Sequence, residues 1–195
     1  RCWSAWIGGR SRSWRPDSIS LRCLIASLSG SIAMRIISRG SKFFVRVWDR
    51  QSPEVINFKG LNFYAVDAAY RIEARFTPFE TPLILKRTNM IGTEYDQPFI
   101  GSAAFTIAGK QYSLIAEEDE DELLFSFIDE TRRDTTYGGG RYLLADRPKN
   151  NLLILDFNLA VNWPCAYTAF ATCPLPPTEN HLKVRIEAGE MRYHD

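Results

Sequence analysis

The chain reads as all-β: an antiparallel barrel or sandwich of about ten short strands, with a long Pro-rich loop near the C-terminal end. Three observations predict this. Short runs of β-branched, aromatic and aliphatic residues recur along the chain, separated by turns containing Gly, Pro, Asn and Ser. Tyr70–Phe76 alternates strictly, with Tyr70, Ile72, Ala74 and Phe76 on one side and Arg71, Glu73 and Arg75 on the other; that is the period of a half-buried antiparallel strand. Few runs are suited to a long amphipathic helix, and neither repeats nor heptads occur.

Residues 1–29 are rich in Arg, Ser and Trp, with Asp17 the only acid, and read as a divergent or disordered leader. Residues 30–195 read as a single β domain. Ile32–Ile37 and Phe43–Trp48 are strand-forming runs around Ser38–Ser41, and Phe43, Val45 and Val47 give the second run an apolar face. Pro78 and Pro82 are expected to end the strand that begins near Tyr70, and Leu83–Thr88 to start another. Ser102–Ala108 and Gln111–Ala116 flank Gly109–Lys110 as a hairpin. Leu123–Ile128, Tyr142–Ala145, Leu152–Phe157 and Lys183–Glu187 complete the expected strands.

The bulk numbers bound the function. A 195-residue chain with 45% apolar and 24% charged residues has room for one real core. The net charge of +1 argues against a whole-surface attraction to nucleic acid or membrane. That balance hides an asymmetry, since residues 1–50 carry ten Lys/Arg against two acids and the remainder fourteen against twenty-one. No window of the chain is apolar enough for a transmembrane helix. The cytoplasm is the expected compartment, with export open if the true N-terminus is missing.

Several motifs invite chemistry and fail on spacing. The acidic run Glu117–Glu122 lacks the Asp-x-Asp-x-Asp-Gly order of a calcium loop, so its like charges suit a solvated turn. Gly138–Gly139–Gly140 has neither the Gly-Lys-Ser/Thr ending nor the helix of a phosphate loop, and reads as a tight bend into Tyr142–Ala145. Cys165 and Cys173 are open to three readings: small buried side chains, a disulfide in an exported protein, or, with His181, a zinc set. The ligand count and spacing tell against zinc, and a Cys-His nucleophile needs the same scarce histidines. No metal and no cofactor is expected.

The densest stretch runs from Leu155 to Glu190. Asp156 and Asn158 share a strand face with Leu152 and Ile154, while Leu153, Leu155 and Phe157 take the other. A strand apolar on both faces suits the middle of a sheet, which puts the Asp156 carboxylate beside buried surface and in need of a partner. Arg141 is the expected partner, because a guanidinium clamps a carboxylate bidentately. The bland alternative is that Asp156 and Asn158 only fasten the loop that follows. Beyond them Pro164, Pro174, Pro176 and Pro177 impose a stiff, extended segment.

The run Leu155-Asp156-Phe157-Asn158-x-Ala160-x-Asn162-x-Pro164-Cys165-Ala166-Tyr167-Thr168, continuing Ala171-Thr172-Cys173-Pro174-Leu175-Pro176-Pro177-x-Glu179-Asn180 and ending Ala188-Gly189-Glu190, resembles the signature of a bacterial family of domains of unknown function, number 1684. Tyr70-Arg71-x-x-Ala74-Arg75-Phe76, Phe127-x-Asp129-x-Thr131 and Tyr137 with Gly140-Arg141-Tyr142 are similar to the same family. The resemblance covers roughly residues 30–190, implies a bacterial or archaeal protein, and brings no activity with it. The sequence departs from that pattern at Leu159, Val161 and Trp163, where Arg, Tyr and Pro are expected.

Three functions follow. The first is binding of a small molecule at a polar site made by the strand end and the Pro-rich loop, with Arg141, Tyr137, Asp156, Asn158, Asn162, Tyr167 and Asn180 as candidate contacts. The second is a carboxylate-dependent, hydrolase-like enzyme drawing on Asp156, Asp129 and Glu190. The third is a structural or interaction domain in which those residues hold the loop. No nucleic-acid or membrane partner is expected, and the oligomeric state is left open.

Overall fold

A computed structural model describes residues 25–39 and 42–193. Most of the expected leader, with Cys2 and Cys23, lies outside the described residues, as do Gly40 and Ser41 of the first expected turn and His194. The chain divides into two compact units, Arg1–Gly60 and Leu61–Asp195.

The first unit contains a three-stranded antiparallel meander, β1 (Ile25–Ser29), β2 (Ile32–Arg39) and β3 (Lys42–Asp49). A short helix, α1 (Pro53–Ile56), follows; Ser52 caps it by accepting the Val55 N–H, and Pro53 occupies its first turn. Phe43, Val45 and Val47 alternate along β3 as expected, and all three are exposed.

The second unit is a seven-stranded antiparallel sheet of β4 (Arg71–Thr88), β5 (Glu94–Ile107), β6 (Lys110–Asp119), β7 (Glu122–Phe127), β8 (Arg141–Asp146), β9 (Leu152–Asp156) and β10 (Val161–Asn162). Its order is β10-β8-β7-β6-β5-β4-β9. The two ends of the ladder, β9 and β10, are neighbours in the chain but do not pair with each other, so this is an all-β sandwich and not a closed barrel. β6 links its two halves, pairing with β5 through residues 110–116 and with β7 only through 117–119.

The alternation read in Tyr70–Phe76 holds: Ala74 and Phe76 are buried while Arg71, Glu73 and Arg75 face solvent. The interior is filled by Phe76, Phe105, Leu114, Phe125, Phe127, Leu155, Phe157 and Ile186. Phe157 stands at the centre, 5.6 Å from the Phe105 ring and edge-on to Phe127 at 5.4 Å.

Three expectations are corrected. Pro78 and Pro82 do not end a strand. β4 runs through both, and the mismatch is absorbed between Pro78↔Gly101 and Leu83↔Phe99 as an irregular bulge, where sheets accommodate proline. β9 is not central: it lies at one end of the ladder against β4, with Leu152 on its outer face exposed. Lys183–Glu187 forms no strand: the chain bends at Lys183 and Val184, and the Ile186 N–H and carbonyl are taken by the Asp129 and Arg141 side chains.

Candidate functional site

β7 ends at Phe127, and Asp129 immediately caps a 3-10 turn, Glu130–Arg133. The chain returns through the glycine triplet to Arg141, the first residue of β8. Gly140 makes that return possible. Its φ is +87°, and a Cβ there would sit 2.5 Å from the Phe127 carbonyl oxygen. The bend expected of the triplet is therefore present, and it aims Arg141 inward.

Arg141 is 1% exposed. Its Nη2 donates to Asp129 Oδ1 at 3.2 Å and to the Ile186 carbonyl at 3.0 Å. Its Nη1 donates to the carbonyls of Ala188 and Glu190, and its guanidinium lies 5.4 Å from the centre of the Phe127 ring. Asp129 Oδ2 accepts from the Thr131 hydroxyl at 2.7 Å, the Thr131 N–H at 3.3 Å and the Ile186 N–H at 2.8 Å. A buried ion pair thus reproduces, with side-chain atoms, the donor and acceptor pattern of a missing strand beside residues 186–190. Burial pulls the Arg141 pKa down, and the Asp129 carboxylate beside it opposes that.

This corrects the expected pairing of Arg141 with Asp156. Asp156 instead caps the turn Phe157–Leu159, accepting from the Asn158 N–H at 3.1 Å and from Asn158 Nδ2 at 2.9 Å. Its cation is Arg71, its cross-strand neighbour, 3.8 Å away and largely in solvent. Asn158 in turn accepts from the Asp67 N–H at 3.0 Å and donates to the Asp67 carbonyl at 2.9 Å. Both residues tie neighbouring turns together through side-chain to backbone bonds.

Asn180 is hydrogen-bonded to two strands. Wholly buried where β6 and β7 diverge, it accepts from the Ile115 N–H at 2.7 Å and donates to the carbonyls of Ile115, at 3.0 Å, and Ser126, at 2.7 Å. One amide side chain bridges two strands that have parted. Tyr137 is half-buried, its ring against Gly139, and burial raises its pKa.

Asn162, Tyr167 and Glu190 form one hydrogen-bonded cluster. The Glu190 carboxylate, 1% exposed, accepts from the Asn162 N–H at 3.0 Å and from the Tyr167 hydroxyl. Burial, followed by the Glu190 carboxylate beside it, pushes the Tyr167 phenol above its ordinary range, so it remains a donor. Asn162 Nδ2 holds the Met191 carbonyl at 2.8 Å, while Asn162 Oδ1 and Trp163 Nε1 are buried with no hydrogen-bond partner. Trp163 packs on Tyr142 at 4.3 Å between ring centres, and Tyr167 meets Tyr193 edge-on at 5.4 Å. Tyr167→Phe would leave a buried carboxylate one donor short, and should lower stability by about 2 kcal/mol in denaturant unfolding.

Cys165 and Cys173 form a disulfide that closes the loop carrying Tyr167 and Phe170. The Cys173 carbonyl accepts the Met90 N–H at 3.0 Å, and the Leu175 N–H reaches the Thr88 carbonyl at 3.0 Å, so the Pro-rich segment lies along the β4–β5 turn. Reducing the disulfide should cost about 2–3 kcal/mol for so short a closed loop. The check is a urea unfolding curve with and without reductant.

A second buried arginine escapes the sequence reading. Arg87 donates to the Leu175 carbonyl from Nε, at 3.0 Å, and from Nη2, at 2.7 Å, and pairs with Glu117, which also accepts from Ser126 at 3.2 Å. Its signal was in the alternation, where Arg87 follows Leu83 and Leu85 on one face of β4. The acidic run is therefore not one solvated turn: Glu117–Asp119 end β6, only Glu120 and Asp121 turn, Glu122 opens β7, and Glu118 pairs with Arg147.

Asp129, Arg141, Asn162, Tyr167 and Glu190 are thus brought together, and Asp156, Asn158 and Asn180 are held elsewhere. Two surface clefts, of about 530 and 420 Å³, are lined by residues 78–84 and by Arg75, Thr106, Gln111 and their neighbours, and no expected site residue lines either. No helix among the described residues is long and apolar enough to cross a membrane.

Residues 56–191 match the profile of a family described as a protein of unknown function, DUF1684. The solution structure of an uncharacterized protein from Haloarcula marismortui is similar to this chain at 30% identity and a TM-score of 0.59, covering 72% of this chain and 80% of that one. No protein with a curated description matches.

Proposed function

The chain belongs to the DUF1684 family, and from that premise we propose that its sheet domain is a recognition module and not a catalyst. One observation carries this reading: the fold itself uses the candidate acids, with Glu190 buried and accepting from the Asn162 N–H and the Tyr167 hydroxyl. Asp129 accepts four hydrogen bonds and is buried, and Asp156 caps a turn beside Arg71. A general acid or base must reach a substrate proton, and the buried Asp129 carboxylate is not placed to do so. What the sheet presents outward is a stiff loop, closed by a disulfide and braced by prolines, of the kind that carries binding sites on rigid scaffolds.

The test is a panel of chromogenic ester, phosphate and glycoside substrates, run with the wild type and with Glu190→Gln. The expected result is no turnover by the wild type above that of Glu190→Gln. Turnover lost in Glu190→Gln, at an unchanged melting temperature, would overturn the reading.

A small ligand at the Tyr167–Glu190 corner is the second reading, favoured by the unpartnered Asn162 Oδ1 and Trp163 Nε1. It predicts that a metabolite raises the melting temperature of the wild type and leaves Tyr167→Phe unmoved. The disulfide supports an oxidising compartment over the cytoplasm.

A further inference from the structure

We propose that β3 is a self-association edge. Two copies of the chain pair antiparallel through Lys42–Asp49 about a twofold axis at Val45, joining their three-stranded meanders into one sheet. A strand at the end of a sheet leaves one row of backbone N–H and C=O groups unpaired, and proteins blunt such edges by making them short, bulged or interrupted by proline. The four strands that end a sheet differ in this respect. β9 and β10 are five and two residues long. β1 has five residues and a register shift between Ser27 and Ser29. β3 has eight, contains no proline, and keeps an unbroken register with β2 from Lys42 to Asp49. Among the described residues it pairs with β2 alone. Phe43, Val45 and Val47, on its apolar side, are 78%, 59% and 53% exposed.

The sequence of the edge chooses the occupant. In a twofold antiparallel pair, residues directly opposite each other lie on the same side of the sheet. With Val45 opposite Val45, Phe43 comes opposite Val47 of the second copy and Val47 opposite its Phe43. Aromatic and β-branched residues facing each other across strands stabilise the pairing. On the other side the same register sets Phe44 against Arg46 of the second copy, a cation beside a ring. Arg46 is the only charged residue between Phe43 and Trp48, and here the two copies of it stand diagonally. The neighbouring symmetric registers are worse. One sets Arg46 opposite Arg46 and the other sets it opposite Lys42, and like charges directly opposite are destabilising. The apolar side continues inward onto β2, where Ile36 lies opposite Val45 and Met34 opposite Val47. An edge that complements itself in this way fits a second copy of the chain. This proposal goes beyond the recognition-module reading and does not depend on it.

The experiment is sedimentation of the full chain over a concentration series, with Val45→Lys, Val45→Glu and, as a control on the other unit, Val66→Lys. The wild type should dimerise increasingly with concentration, and Val66→Lys should match it. Val45→Lys and Val45→Glu each put like charges across the axis and should weaken dimerisation about ten-fold. Their melting temperatures should be unchanged, because Val45 is exposed. Mixed in equal amounts, the two variants should recover the dimer. Amide exchange reads the same edge without any substitution: residues 43–48 should become more protected as wild-type concentration rises. A wild type that stays monomeric, or a dimer indifferent to both Val45 variants, overturns the proposal. Protection of residues 43–48 that does not change with concentration also overturns it.

Discussion

Arg141→Met should destabilise the domain by about 3–5 kcal/mol, the largest effect of any single substitution expected here. The cause is not the lost attraction alone. Methionine fills much of the space but leaves the Asp129 carboxylate buried with no cation, and leaves the carbonyls of Ile186, Ala188 and Glu190 without the donors they now have. Urea unfolding of the variant measures it. Asp129→Asn in the same background should recover part of the loss by removing the stranded charge, so the two substitutions should be non-additive. Equal stability of Arg141→Met and the wild type would mean that the C-terminal segment is held by apolar packing, through Ile186 and Leu182, and not by this ion pair.

Asn180→Ala should cost about 3 kcal/mol, the second largest effect. Three hydrogen bonds go, and the Ile115 N–H and the Ser126 carbonyl, both buried, are left without these bonds. Because Asn180 joins β6 to β7 where their own ladder has stopped, the loss should also be local. Amide exchange should quicken at Ile115 and Ser126 before it quickens in the β4–β5 ladder. Asn180→Asp keeps the shape but loses the Nδ2 donors and buries a charge, and should be no better tolerated.

Much of the fold was legible because strand alternation is a local signal. Ala74 and Phe76, or Phe105 and Ile107, face inward simply because the pleat has a period of two. The bend at the glycine triplet was legible for a similar reason, since it needs a residue without a Cβ. Pairing across the chain was not. Asp156 and Asp129 are both acids next to strand ends, and nothing local says which one Arg141 will meet. The register places Arg71 opposite Asp156, and register is a property of the assembled sheet. Lys183–Glu187 misled for a complementary reason. An extended run that alternates in polarity satisfies its backbone equally well with a neighbouring strand or with the side chains of Asp129 and Arg141. Only the folded chain distinguishes these. Asn158 and Asn180 have the same chemistry, yet one ties a surface turn and the other bridges a buried gap.

The side-chain substitute for a strand beside residues 186–190 has a consequence for synthesis. A nascent chain that has emerged only as far as β10 already holds Phe127, Phe157 and the Arg141–Asp129 pair, yet the backbone that covers them is still inside the ribosome. Until Glu190 clears the exit tunnel this half of the domain stays greasy and open, a natural client for holding chaperones. A stop codon placed after Thr178 should leave a polypeptide that proteases degrade quickly, although every long strand of the sheet has been made.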